Sequence, residues 1–180
     1  MIYKSDVVEK NAILNVAELM CTAARTAPKA RGMDTIQTFI LDGEEKDKLS
    51  AKMREIGTRL EKEFFIRDAG NLDAAPFVVF IGSNPAPRGL DCALCGVANC
   101  ALAATDRISC AIDVTDLGIA VGSAAAVAMD HRIDNRIMFS AGMAALELGM
   151  FSDKIKIGYG IGLSATGKSI FFDRAAIVPK

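Results

Sequence analysis

Four of the five cysteines in this chain lie within nineteen residues, as Cys92-Ala-Leu-Cys95-Gly-Val-Ala-Asn-Cys100 followed by Cys110. The two-residue spacing of Cys92 and Cys95 lets a tight turn aim two sulfurs at one point, and Gly96 leaves room for backbone amides beside them. Four thiolates form the ligand set of a cubane iron–sulfur centre and equally of a structural zinc. An odd cysteine count with this clustering fits a reducing cytoplasm better than a disulfide framework.

Three uses of the cluster follow from its spacing. A [4Fe–4S] cluster takes all four thiolates and suits a short loop of small residues. Zinc takes the same set, although zinc knuckles usually pair two C-x2-C units and this chain has one. A redox-active Cys92–Cys95 disulfide belongs at the opening of a helix in a βαβ context. Arg88 and Arg107 could offset the negative charge of a cluster; the plainer reading is that each is a solvated loop cation. The fifth cysteine, Cys21, sits on an expected helix and reads as a small core hydrophobe.

The remaining sequence supplies a frame for that loop. At 180 residues, 51% of them hydrophobic and none of them Trp, the chain reads as a single domain, 1–180, with an aliphatic core and a cysteine loop at about 84–112. A net charge of −1 gives no nucleic-acid footprint. Met1-Ile-Tyr-Lys leads directly into a charged amphipathic stretch, unlike a signal peptide. The longest weakly polar run, 117–129, is short of the roughly 20 residues a membrane span needs. A cytoplasmic protein without membrane contact is expected.

Apolar residues at helical spacing predict a helix over 5–25 and a second over 44–65, with Leu49, Met53, Ile56, Leu60 and Phe64 on one face. The β-branched run 35–41 and the continuous apolar run Phe77-Val-Val-Phe-Ile81 predict strands, the latter buried. A long small-residue helix is expected over 113–132, with Asp113 and Asp116 at its positive end. Shorter elements follow: a strand over 136–140, a helix over 141–149, and strands over 156–161 and 169–172. The order lacks strict βαβ alternation, so the fold class is α+β, with a mixed, mostly antiparallel sheet flanked by helices.

The run Pro87-Arg-Gly-Leu-Asp-Cys92-Ala-Leu-Cys95-Gly, with Cys100 and Cys110, resembles the signature of a poorly characterised prokaryotic family of ferredoxin-domain proteins. The likeness extends to Ala23-Ala-Arg-Thr-Ala-Pro-Lys-Ala-Arg-Gly32, Asp116-Leu-Gly-Ile-Ala-Val-Gly122, Asp134-Asn-Arg-Ile-Met138 and Gly162-Leu-Ser-Ala-Thr-Gly-Lys168. The order of elements is also similar to that of the FMN-dependent nitroreductases: an N-terminal helix, an Ala27-Pro28 loop into a strand, and a central small-residue helix. That second resemblance implies a nitroreductase-like fold, a homodimer and a flavin between subunits. The Ser and Asn expected after the Pro are replaced by Lys29 and Gly32 or Met33, and the paired arginines that grip the FMN phosphate are absent. Arg25, Lys29 and Arg31, with Lys168 or Arg174, are the candidate replacements.

Two further features invite a function and are better read plainly. Gly162-Leu-Ser-Ala-Thr-Gly-Lys-Ser169 spells the Walker A pattern, yet that loop needs a strand before it and a helix after it; Ile170-Phe-Phe172 favours a strand. His131, the single histidine, follows Asp130 at a helix end, where a polar or cationic group is favourable. The resulting expectation is an iron–sulfur redox protein that transfers electrons through a [4Fe–4S] cluster on Cys92, Cys95, Cys100 and Cys110, with FMN as a further cofactor. Its enzymatic form is an oxidoreductase, and its implied partners are a second copy, an electron donor and an acceptor. The rival is a zinc-stapled binding or metal-sensing module without catalysis.

Overall fold

The computed structural model describes residues 1–172. In chain order these form α1 (Ser5–Thr26), a 3-10 turn (Ala30–Gly32), β1 (Ile36–Leu41), α2 (Gly43–Leu60), α3 (Glu63–Ala74), β2 (Phe77–Ser83), α4 (Cys100–Thr105), α5 (Ala111–Asp130), β3 (Asp134–Met138), α6 (Phe139–Glu147) and β4 (Ile157–Ser164). The strands pair antiparallel throughout, in the order β1-β2-β4-β3.

β2 is buried along its whole length because helices cover both faces of the sheet. Alternate side chains of a strand point to opposite faces. Phe77, Val79 and Ile81 pack with Ile13, Val16 and Met20 of α1 and with Leu117, Ala120 and Ala124 of α5. Val78 and Phe80 pack with Leu49, Met53 and Ile56 of α2, Phe65 and Leu72 of α3, and Ala141 and Ala144 of α6. A continuous apolar run is what such a two-sided strand requires. The α+β class with an antiparallel sheet is as the sequence led us to expect.

Four expectations need correction. The single helix over 44–65 is two helices, α2 and α3, broken at Glu61, which adopts φ 54° and ψ 44°. Leu60 is consequently 43% exposed. The break lets α3 fold back onto α2 at Gly57, where a Cβ would stand 2.9 Å from the Cβ of Phe65. The cysteine segment contains a helix, α4, where only loop was expected. The strand expected over 136–140 begins at Asp134 and ends at Met138, and α6 starts at Phe139. Residues 170–172 form a turn, not a strand; Phe171 is buried over Gly162, so its apolar character serves packing rather than pairing. Arg174 lies outside the described residues.

α5 is long and apolar enough, by length and composition, to cross a membrane. In the structure its Leu117, Ala120 and Ala124 are fully buried in the core, and its two early carboxylates, Asp113 and Asp116, are buried beside Arg88.

Candidate metal centre

The cysteine loop leaves the C-terminal end of β2 and returns to the start of α5. Its path depends on residues in the left-handed region: Gly89 (φ 68°), Asp91 (46°), Ala93 (56°) and Gly96 (83°). Backbone held there at non-glycine positions is costly and concentrates at functional sites. A turn closes over Cys95 through the Gly96 N–H, which donates to the Ala93 carbonyl at 3.0 Å. Asp91 braces the loop from both sides: its carboxylate accepts the Cys100 N–H at 2.7 Å, while its own N–H donates to Cys100 Sγ at 3.4 Å. Asn99 caps α4 by accepting the Leu102 N–H at 2.9 Å. The Cys110 N–H donates to the Pro85 carbonyl at 2.9 Å, which draws the start of α5 back against the beginning of the loop.

This folding gathers the four predicted ligands. Cys92, Cys95, Cys100 and Cys110 all line one cavity, closed by Pro87, Leu90, Ala93, Ala103, Ala111 and Ile112 and by the polar Asn99 and Arg88. Cys92 is exposed, Cys95 and Cys100 are half-buried and Cys110 is buried. Cys110 also occupies the N-cap position of α5, where the helix macrodipole favours negative charge. Among the described residues, no group of three or more His, Cys, Asp or Glu side chains is arranged to hold a single metal ion.

Arg88, named with Arg107 as a counter-charge to a cluster, is not the solvated loop cation of the plainer reading: it is 2% exposed. Its Nη2 donates to Asp113 and, at 3.0 Å, to Thr35 Oγ1, and lies 3.4 Å from Asp116 Oδ2. Asp113 further accepts from Thr35 Oγ1 at 2.7 Å and Ser83 Oγ at 2.8 Å, and Asp116 accepts the Ala30 N–H at 3.0 Å. Arg88 Nε is buried and has no hydrogen-bond partner among the described residues. A signal existed in the sequence: Asp113 and Asp116 share a helix face with Leu117 and Ala120, so burying that face demands a buried cation. Arg107 is exposed and lies outside this cavity.

The predicted anion-binding cations are arranged differently. Arg25 pairs with Asp34 at 2.5 Å. Lys29 Nζ turns back to the Ala24 and Arg25 carbonyls at 2.8 and 2.5 Å, which satisfies the end of α1; burial pushes its ammonium below the usual lysine range. Arg31, at φ 58°, donates to the Arg88 carbonyl at 2.8 Å. Lys168 follows β4, whose Leu163 pairs with Phe77, whereas the 25–35 segment enters the sheet at Ile36 opposite Ser83. The length of the seven-residue β2, about 20 Å, therefore separates Lys168 from the other three within one chain. Within one chain these residues are not brought together; the expected site between two subunits is a separate arrangement.

The other singled-out residues have structural places. Cys21 packs at the edge of the α1–sheet core, where burial pushes its thiol up against a smaller opposing hydrogen bond from Thr38. His131 is exposed and caps α5 through its N–H to the Val127 carbonyl. In the Walker-like run Gly162 belongs to the interior of β4, and the described residues after Ser169 form a turn.

Residues 107–174 match the model of the family described as uncharacterized protein containing a ferredoxin domain (DUF2148). That span begins after Cys100 and includes Cys110. An uncharacterized protein of Archaeoglobus fulgidus is 41% identical over 176 residues, covering 92% of this chain and 94% of its own. Among solved structures, the fold is similar to a nitroreductase with bound FMN from Desulfitobacterium hafniense, with TM-score 0.61 and 15% identity over 100% of this chain and 85% of that one. A nitroreductase-like family protein from Bacillus cereus aligns with TM-score 0.57 and 12% identity, over 92% and 80%. The chain belongs to the ferredoxin-domain family, and its fold is that of the nitroreductases.

Proposed function

We propose, starting from membership of that family, that the chain is a redox protein whose Cys92, Cys95, Cys100 and Cys110 hold one [4Fe–4S] cluster in the cavity they line. The observation that carries this reading is that four cysteines spread over nineteen residues reach one cavity whose other walls are almost wholly apolar. The donor set fits: all four are soft thiolate donors, which select iron–sulfur centres and zinc over hard cations. The surroundings fit as well, since the Asp91 N–H donates to Cys100 Sγ and an arginine stands in the wall. Zinc would take the same four thiolates at about 2.3 Å from each; membership of the ferredoxin-domain family is what favours a cluster. When bound, such a cluster supplies one-electron transfer.

The chain's own contribution is containment and orientation. The left-handed turns fix where the sulfurs point, Asp91 holds Cys100 from two directions, and Leu90, Ala93 and Ile112 narrow the approach of water. The exposed edge at Cys92 is the side from which a donor or acceptor would approach in a reducing cytoplasm. For flavin the residues fit poorly: Arg25, Lys29 and Arg31 are committed within the chain.

Anaerobic purification followed by metal and sulfide analysis tests the reading. The expected result is about four irons and four sulfides per chain. Serine at any of the four cysteines should lower that content sharply, and Cys21→Ser should leave it unchanged. One zinc per chain in place of iron would replace this reading with that of a zinc-stapled module.

A further inference from the structure

Among the described residues, Arg88 is the one cation lining the cysteine cavity, and it cannot swing away. Thr35 just before β1, together with Asp113 and Asp116 on α5, holds its Nη2 in place. Its backbone carbonyl is held by Arg31. The same guanidinium carries a buried Nε–H that has no acceptor among the described residues. A buried donor left unmade carries its full desolvation cost, so native proteins rarely keep one unless something absent from the polypeptide completes it. The cavity that Arg88 borders offers such an acceptor, because thiolate and sulfide sulfurs are anionic and the remaining wall is apolar. Among the described residues, the neutral polar side chain there besides the cysteines is Asn99, and its carbonyl oxygen is occupied by the Leu102 N–H.

We infer that Arg88 donates its free Nε–H to the group held by the four cysteines and that its fixed positive charge raises the reduction potential of that group. The inference rests on the iron–sulfur reading. Both parts follow from charge: reduction adds negative charge to the group, and a cation held rigidly in a low-dielectric wall stabilises the reduced form more than the oxidised one. Asp113 and Asp116 keep Arg88 buried and oriented.

The test uses the full chain reconstituted anaerobically with ferrous iron and sulfide, comparing wild type with Arg88→Lys and Arg88→Gln. Iron and sulfide content is read first. A wild-type chain that takes up neither overturns the cluster reading and this inference together. Where the content is full, redox titration with dithionite decides the inference alone. At the wild-type midpoint, the reduced-to-oxidised ratio of Arg88→Gln should fall about tenfold, equivalent to 59 mV for a one-electron couple. Arg88→Lys, which keeps the charge but lacks Nε–H, should fall between. An unchanged midpoint in Arg88→Gln at full iron content overturns the inference and leaves the cluster reading standing. Should Arg88→Gln fail to fold, pulsed electron paramagnetic resonance of the wild-type chain labelled with 15N-arginine replaces it. An arginine nitrogen coupled to the spin of the reduced group, and retained in Arg31→Lys, supports Arg88; no arginine coupling overturns it.

Discussion

Asp113 has no exposed surface and is joined to Arg88, Thr35 and Ser83, which belong to or adjoin three different segments of the fold. Removing one partner of a buried ion pair leaves the other charge uncompensated, at about 3–5 kcal/mol. Asp113→Ala should lower the unfolding free energy by that amount in urea titration; a loss under about 1 kcal/mol would show that water reaches the pair. Asp34 gives a separate, pH-dependent expectation. Burial alone would raise its carboxyl, but hydrogen bonds from Arg25 and the Ile36 N–H outweigh that and hold it below the usual range. Because the folded value lies below the unfolded one, its stabilisation is complete above about pH 4 and is lost as pH falls through the folded value. The stability difference between wild type and Asp34→Asn should therefore shrink from about pH 6 to about pH 3; a difference that is constant over this range would remove the ion pair from the account. At this scale the cysteines were legible because their chemistry and spacing are both unusual. The burial of Arg88 was harder to read, because a Pro-Arg-Gly loop looks exposed until it is paired with the buried carboxylates of α5 and with Thr35 before β1.

Among the elements, the tightest of the glycine contacts lies between α6 and β4. A Cβ at Gly142 would stand 1.7 Å from the Gly158 carbonyl oxygen, so the helix backbone rests directly on the strand. Gly142→Ala should cost about 3 kcal/mol or more, the upper range for overpacking, and should be read as a lowered urea midpoint. A loss below about 1 kcal/mol would mean that α6 can lift off the sheet without consequence. The loop between α1 and β1 yields an expectation of another kind. Its cations are committed to Asp34 and to backbone carbonyls, so Arg25→Ala should weaken the fold without changing the relative binding of FMN and riboflavin in fluorescence titration. A preference for FMN that disappears in that variant would restore the phosphate site. Element type was legible wherever periodicity was long, as in α1 and β2. The break between α2 and α3 was hidden because both helices bury into one core and the turn is made by Glu61, not by a glycine. The turn at 170–172 was hidden because a buried plug and a paired strand share the same apolar composition.

On the scale of the whole molecule, the unexplained surface is the outer face of α5. Thr115, Gly118, Ile119, Gly122, Ala126 and Met129 are all exposed and recur at helical spacing. A Cβ at Gly118 or Gly122 would meet nothing within 4 Å. Apolar stripes of this kind on a helix whose other face is core mark an interaction surface, and small residues let a facing backbone come close. We propose that a second copy of this chain covers it, helix against helix about a twofold axis. A self-complementary patch of neutral, small side chains meets its own copy without opposing charge. Two substitutions at one position separate this from a free surface. Gly122→Ala on a solvent-facing helix should stabilise by roughly 1 kcal/mol through helix propensity; in a tight homodimer it should instead weaken association. Gly122→Arg should split the dimer while the circular dichroism spectrum stays native. Sedimentation of the wild-type chain at micromolar concentration should give twice the 19.1 kDa chain mass. A single-chain mass there, with Gly122→Ala simply more stable, would leave α5 as an exposed apolar helix and remove the dimer.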